Sequence, residues 1–202
     1  WHEANFLLAF FEGVVGSCHR FTRFVAEAAG GNHLGEVIGL HKNGLVASDF
    51  GLDLVDGRTR PYPEIALRWG KNKFQWCAIG DQNYGEGSSR EHAAMEPRYR
   101  GCQVILARSF ARIHETNLKK QGIVPLTFED PSVYDMIQPT DVITVRGMPP
   151  VPDQPVRCII HKRGEIEIEI KALHTFSDEQ VKWFKAGSAL NVVRQKVLKS
   201  KK

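Results

Sequence analysis

The sequence is poor in cysteine, in net charge and in long apolar runs. Its four cysteines, Cys18, Cys77, Cys102 and Cys158, are spread over 202 residues, and no two form a CxxC pair. That spacing argues against a zinc or iron–sulfur site built from this chain alone and for reduced thiols held in a core. The 27 basic and 23 acidic residues leave a formal charge of +4, too mild to imply nucleic acid by itself. The apolar run Phe6-Leu7-Leu8-Ala9-Phe10-Phe11 has no basic stretch before it and is interrupted by Glu12. It makes a poor signal peptide and is too short to span a bilayer, so the chain is expected to be soluble, with no membrane partner. No repeat and no low-complexity tract is present. The first residue is Trp1, so the chain is expected to be processed or to be a piece of something longer.

What is present fits one domain of ordinary composition with an appendage. Residues 1–60 are hard to read. Helix-like apolar spacing occurs at 4–11 and 18–29, and glycines punctuate 33–57. From Arg60 onward, strand and helix patterns alternate. A short helix at 63–69 precedes a strand at 74–79, a glycine loop at 80–87 and a helix from Ser88 to about Arg98, interrupted by Pro97. A strand at 102–108, a helix at 110–121 ended by Gly122, a strand at 123–128 and a short helix at 130–137 follow. This alternation implies parallel strands joined by crossovers. The pattern then changes to strands at 142–145, 156–161 and 165–170, with a tight turn at Arg163-Gly164. Strict alternation in Glu165-Ile166-Glu167-Ile168-Glu169-Ile170 predicts one wet face. Ser177-Asp178-Glu179-Gln180 is a capping box, with Phe176 and Val181 spaced as a hydrophobic staple. Its helix should break at Gly187, and Lys196, Lys199, Lys201 and Lys202 read as a solvated basic tail.

The chemistry is concentrated in Ile79-Gly80-Asp81-Gln82-Asn83-Tyr84-Gly85-Glu86-Gly87-Ser88-Ser89-Arg90-Glu91-His92. A buried strand ends, a loop with three glycines follows, and a helix begins. Ligands of open α/β sheets bind outside the carboxyl ends of strands, and a helix N-terminus attracts anions. Arg90 adds a fork that grips a carboxylate through two hydrogen bonds, beside the hydroxyls of Ser88 and Ser89. The pattern suits a small di- or tricarboxylate. Ser88-Ser89-Arg90-Glu91 also fits a simple capping box.

Asp81 to Ala94 closely resembles the signature of the aconitase family. So do Ser109-Phe110-Ala111-Arg112-Ile113-His114-Glu115-Thr116-Asn117-Leu118-Lys119-Lys120-Gln121-Gly122, Pro125-Leu126-Thr127-Phe128 and Trp183-Phe184-Lys185-Ala186-Gly187-Ser188-Ala189-Leu190-Asn191. The resemblance runs from about residue 61 to 193 and is strongest to mitochondrial-type aconitases. The isopropylmalate isomerase small subunit shares the GSSREH core. The resemblance implies an α/β fold, the aconitase-type swivelling domain, with a parallel or mixed sheet core, flanking helices and an antiparallel C-terminal hairpin. It also implies a hydro-lyase that interconverts citrate and isocitrate through cis-aconitate in the tricarboxylic acid cycle, with a [4Fe–4S] cluster in the complete enzyme. By the same likeness Ser88 is the catalytic base, and Ser89 and Arg90 bind substrate. An alkoxide at Ser88 needs N–H donors, a helix dipole and a cation nearby, and Arg90 is that cation. Asp81, Asn83, Glu86, His92 and His114 are read as structural, with Arg112 and Glu115 in ion pairs.

The resemblance stops before residue 61. Aconitases carry a Thr-Thr-Asp-His-Ile segment and a substrate-binding arginine in a Phe-Arg-Gly context there, and neither occurs in residues 1–60. The chain divides into a non-matching segment, 1–60, and a swivel domain with a basic tail, 61–202. Cluster ligands are expected only in partner domains, in cis or in trans, so the isolated chain should be inactive. A fragment, a subunit of an isopropylmalate isomerase-type dehydratase and a non-catalytic interaction module remain alternatives. RNA is not favoured as a partner. The family likeness points to the mitochondrial matrix, with the cytoplasm as the alternative.

Overall fold

The computed structural model describes residues 20–25, 50–53, 55–71, 76–85, 91–138 and 141–200. The expected helix at 4–11, the glycine-punctuated stretch 33–49, Cys18, the loop residues 86–90 and the last two lysines lie outside the described residues.

Seven strands form a closed barrel. Strands β1 (Arg20–Val25), β4 (Trp76–Gly80), β5 (Cys102–Ala107) and β6 (Val124–Phe128) pair in parallel in that order. Strands β7 (Val142–Arg146), β8 (Val156–His161) and β9 (Glu167–Leu173) form an antiparallel meander. β9 pairs with β6 and β7 pairs with β1, which closes the ring. The parallel crossovers are α2 (His92–Tyr99) and α3 (Arg112–Lys120), with α1 (Tyr62–Lys71) leading into β4. The short α4 (Val133–Met136) leads toward β7, and α5 (Asp178–Lys185) and α6 (Ala189–Ser200) end the chain. Strands β2 (Phe50–Asp53) and β3 (Arg58–Pro61) make a separate hairpin.

The apolar pattern explains the layers. One core draws on Cys77, Ile79, Val104, Leu106, Ile143, Cys158, Ile160 and Ile170 from around the ring and fills the barrel. A second core, with Trp76, Ala78, Cys102 and Ile105 against Ile65, Trp69, Ala94 and Leu118, lies under α1–α3. β4 and β5 are therefore buried on both faces, as a strand covered by crossover helices must be. Cys102 and Val104 belong to different cores although they are two residues apart. The reason is a bulge opposite Trp76/Cys77, which makes Gln103 an extra residue and reverses the alternation. β9 alternates as expected, with Glu167, Glu169 and Lys171 exposed and Ile170 and Ala172 buried.

The mixed sheet, flanking helices and C-terminal hairpin match the expected class, and the pairing of β1 adds closure. That pairing corrects the helical reading of 18–29. Residues 20–25 are extended because the edges of β4 and β7 offer backbone partners on both sides, and this gain overrides local spacing. The residue-60 boundary falls inside β3. The basic end is helical to Ser200, with Ser188 Oγ accepting from the Asn191 N–H at 3.1 Å at its start. The Ser177–Gln180 capping box forms, and Phe176 and Val181 both enter the barrel core.

The β2–β3 hairpin is held to α1 by one buried carboxylate. Asp53 is fully buried. Its Oδ1 accepts from Trp69 Nε1 at 2.9 Å and from the Val55 N–H at 3.1 Å. Its Oδ2 accepts from Arg68 Nε at 2.8 Å and Arg60 Nη1 at 2.9 Å. Burial alone would raise this carboxyl's pKa, but the hydrogen bonds from Trp69, Val55 and Arg68 outweigh it and hold it below the ordinary range. Asp53→Asn should therefore cost about 2–4 kcal/mol, because two arginines lose their buried counter-charge. Chemical denaturation checks this, and an unchanged midpoint would refute it.

Candidate active site

β4 ends at Gly80 beside the end of β5 at Ala107. The loops that follow both strands leave from the carboxyl end of the parallel pairs, where α/β sheets bind ligands. They are stitched together by main-chain hydrogen bonds. The Arg108 N–H donates to the Gly80 carbonyl at 3.3 Å, the Tyr84 N–H to the Ser109 carbonyl at 2.9 Å and the Ala111 N–H to the Tyr84 carbonyl at 3.0 Å. The Asn83 N–H donates to Ser109 Oγ at 2.8 Å. In effect the parallel ladder resumes for one step, at Tyr84 and Phe110.

Arg108 binds the same two loops through its side chain. It donates to Asp81 Oδ1 at 3.1 Å, Asp135 Oδ2 at 2.7 Å and the Pro131 carbonyl at 3.2 Å, and it stacks 4.5 Å from the Tyr134 ring centre. Its fork is committed to structure. Asp81 and Asn83 thus have the structural roles expected of them, with Asn83 at φ +54°, a conformation that asparagine tolerates.

Gly85 follows at φ +86°. A Cβ there would lie 2.2 Å from Cγ and Cδ2 of His114. The His114 ring, in the first turns of α3, is 4% exposed and lies 5.7 Å, centre to centre, from the Tyr84 ring. Among the described residues its Nδ1 has no hydrogen-bond partner. The expectation of a structural histidine holds for its burial. Burial lowers the His114 pKa and raises that of the Tyr84 phenol, so neither is charged near neutral pH. His92 is exposed at the start of α2. Glu115 pairs with Lys119 at 2.9 Å, as expected of it. Arg112 is exposed and forms no ion pair among the described residues.

Ser88, Ser89 and Arg90 lie outside the described residues. Both ends of their loop are described, and both rest on α3. Gly85 abuts His114 at one end, and Glu91 lies 3.7 Å from Lys120 Nζ at the other. The Glu91 carbonyl accepts from the Ala94 and Met95 N–H groups at the start of α2, which runs from His92; the capping reading of Ser88 lies outside the described residues. Ser109, Tyr84 and Arg108 are the residues that sequence reasoning missed. Two of them sit inside the quoted motifs, but nothing in the motifs says that the two loops touch.

The described residues do not fit an iron–sulfur cluster. Cys77 and Cys158 are buried in the barrel core and Cys102 in the outer core. Burial pushes the Cys158 thiol up to about 12 and the Cys102 thiol higher still, whereas cluster ligation takes thiolates. Among the described residues no group of three His, Cys, Asp or Glu side chains converges on a metal-sized site. No described helix is long and apolar enough to cross a membrane.

Residues 47–131, which hold both stitched loops, match the family model of the aconitase C-terminal domain. The match starts upstream of residue 61 and takes in the β2–β3 hairpin. The chain is 49% identical over 148 residues to the probable mitochondrial aconitate hydratase of Caenorhabditis elegans, covering 73% of this chain and 19% of that protein. It is 50% identical over 151 residues to the counterpart of Dictyostelium discoideum, covering 73% and 20%. It therefore spans about a fifth of the length of the curated relatives it matches. Among solved structures, 3-isopropylmalate dehydratase from Methanocaldococcus jannaschii is similar in fold, with a TM-score of 0.50 and 23% identity, covering 71% of this chain and 84% of that one.

His114 gives this domain an acid-sensitive point. Its folded pKa lies below the ordinary histidine value of 6.5, so the unfolded chain binds the proton more readily. Its contribution to stability is complete above 6.5 and is lost as pH falls from there toward the lowered folded value. Thermal melting across pH 7.5 to 5 should show this loss, and His114→Phe should remove part of it. An identical pH slope in the variant would contradict the assignment.

Proposed function

We propose that this chain is the substrate-binding and base-supplying domain of an aconitase-like hydro-lyase that interconverts citrate and isocitrate through cis-aconitate. The single observation that carries this reading is that the residues flanking Glu86–Arg90, Gly85 and Glu91, both lie beside α3, after a parallel strand and inside the family match. A reactive serine needs a loop whose approach is set before substrate arrives.

In this reading Ser88 takes the proton from the carbon next to a substrate carboxylate. Serine is a poor base at neutral pH, so its alkoxide must be held by N–H donors and a cation. Arg90 is that cation and also grips a carboxylate through two parallel hydrogen bonds, with Ser89 donating a third. Arg108 cannot share this work, because Asp81, Asp135 and Pro131 occupy its donors. His114 and Tyr84 are neutral, so they do not compete for the substrate's negative charge. The [4Fe–4S] cluster, which supplies the Lewis acid in aconitases, is assigned to other domains in cis or in trans. The described cysteines are neutral thiols in two separate cores, which supports that assignment. The names of the relatives support the mitochondrial matrix and the tricarboxylic acid cycle as the setting.

The chain alone, after cluster reconstitution, should not hydrate cis-aconitate, and addition of cluster-bearing aconitase domains should restore turnover. In the assembled enzyme Ser88→Ala should lower kcat by roughly 10²–10⁴-fold with KM nearly unchanged. Arg90→Lys should act mainly on KM, raising it about tenfold or more, because the planar fork is lost. Turnover by the chain alone would remove the need for partner domains, and an unaltered kcat in Ser88→Ala would remove the base.

A further inference from the structure

His114 is an odd residue for a core. A phenylalanine or leucine would fill the space without burying a nitrogen that has no partner among the described residues, which costs on the order of 1–3 kcal/mol. Gly85 lies against the ring on the loop side. At φ +86° a glycine is the residue that turns without strain, and the space its side chain would need is taken by the ring, with Cγ and Cδ2 2.2 Å and the His114 Cβ 2.6 Å from the ideal Cβ position. The contact is backed from both sides. Tyr84 is locked by two main-chain bonds to the Ser109–Ala111 segment, and α3 is anchored by buried Leu118 and by Lys119, which donates to the Thr175 carbonyl at 2.9 Å.

We propose that His114 is a positioning residue: its ring is the surface over which the chain turns at Gly85, and it thereby sets where Ser88 and Arg90 are presented to substrate. This rests on the reading of Ser88 and Arg90 given above. His114 makes no contact with substrate in this role. It acts through Gly85, and its effect belongs on kcat, because a base misplaced by about 1 Å loses roughly 10²-fold in rate while remote binding contacts persist.

A double-mutant cycle in the assembled enzyme, with the chain joined to cluster-bearing domains, tests this. His114→Ala should lower kcat at least tenfold with KM changed less than threefold, and Gly85→Ala should lower kcat further, because its Cβ collides with the ring. The double variant puts the new methyl into the space the ring has left, so its kcat should exceed that of Gly85→Ala alone by about fivefold or more, the coupling expected of residues in direct contact. Independent, multiplicative losses would overturn the proposal, as would lower melting temperatures with unchanged kcat. Ser88→Ala, run in parallel, separates the two readings: if it leaves turnover intact, the functional reading fails on its own. Amide exchange then decides the positioning role without activity. His114→Ala should speed exchange in the peptide spanning residues 85–91 at least tenfold, with the β8–β9 hairpin unchanged. Equal exchange in both proteins would overturn it.

Discussion

The parallel pairing of β4 with β5 does not stop where the strands stop, and the candidate site depends on that continuation. Ser109 accepts twice, once on its hydroxyl from Asn83 and once on its carbonyl from Tyr84, and Tyr84 returns a carbonyl to Ala111. Two loops that would each be loose become one short ladder, with Arg108 bolted across it to Asp81 and Asp135. Main-chain bonds of this kind are nearly independent of side-chain chemistry. The loop can therefore carry reactive residues beyond Gly85 while its base stays fixed.

The same economy is visible in the way α3 serves both ends of the loop. His114 lies under Gly85 near the helix start, and Lys120 faces Glu91 near the helix end. The helix is itself held by Leu118 in the outer core and by the Lys119 link to Thr175, just ahead of α5. Barrel closure by β1 and β7 adds a rigid frame behind these elements.

Much of the fold was legible from pattern. The alternation of apolar strands with amphipathic helices gave the parallel half, and the wet face of β9 followed from Glu165 to Ile170. The Ser177–Gln180 box marked the start of α5. Errors arose where long-range pairing overrode local preference. Residues 20–25 have helical spacing but are a strand, because two sheet edges needed a partner. Gln103 is a bulge residue, which no periodicity in β5 announces.

By itself the sequence determined the class of fold, the place of the glycine-bearing loop after β4 and, through its motifs, the resemblance to the aconitase family. These follow from residue identity: Gly, Ser and Arg between a buried strand and a helix carry their chemistry wherever the chain puts them. Only the tertiary structure decided that Arg108 is committed to Asp81 and Asp135, and that His114 stands where a side chain on Gly85 would have to go. Those facts depend on which distant backbone segments come within hydrogen-bonding or van der Waals distance. Such distances are set by barrel closure and helix packing, and no local stretch of sequence encodes them.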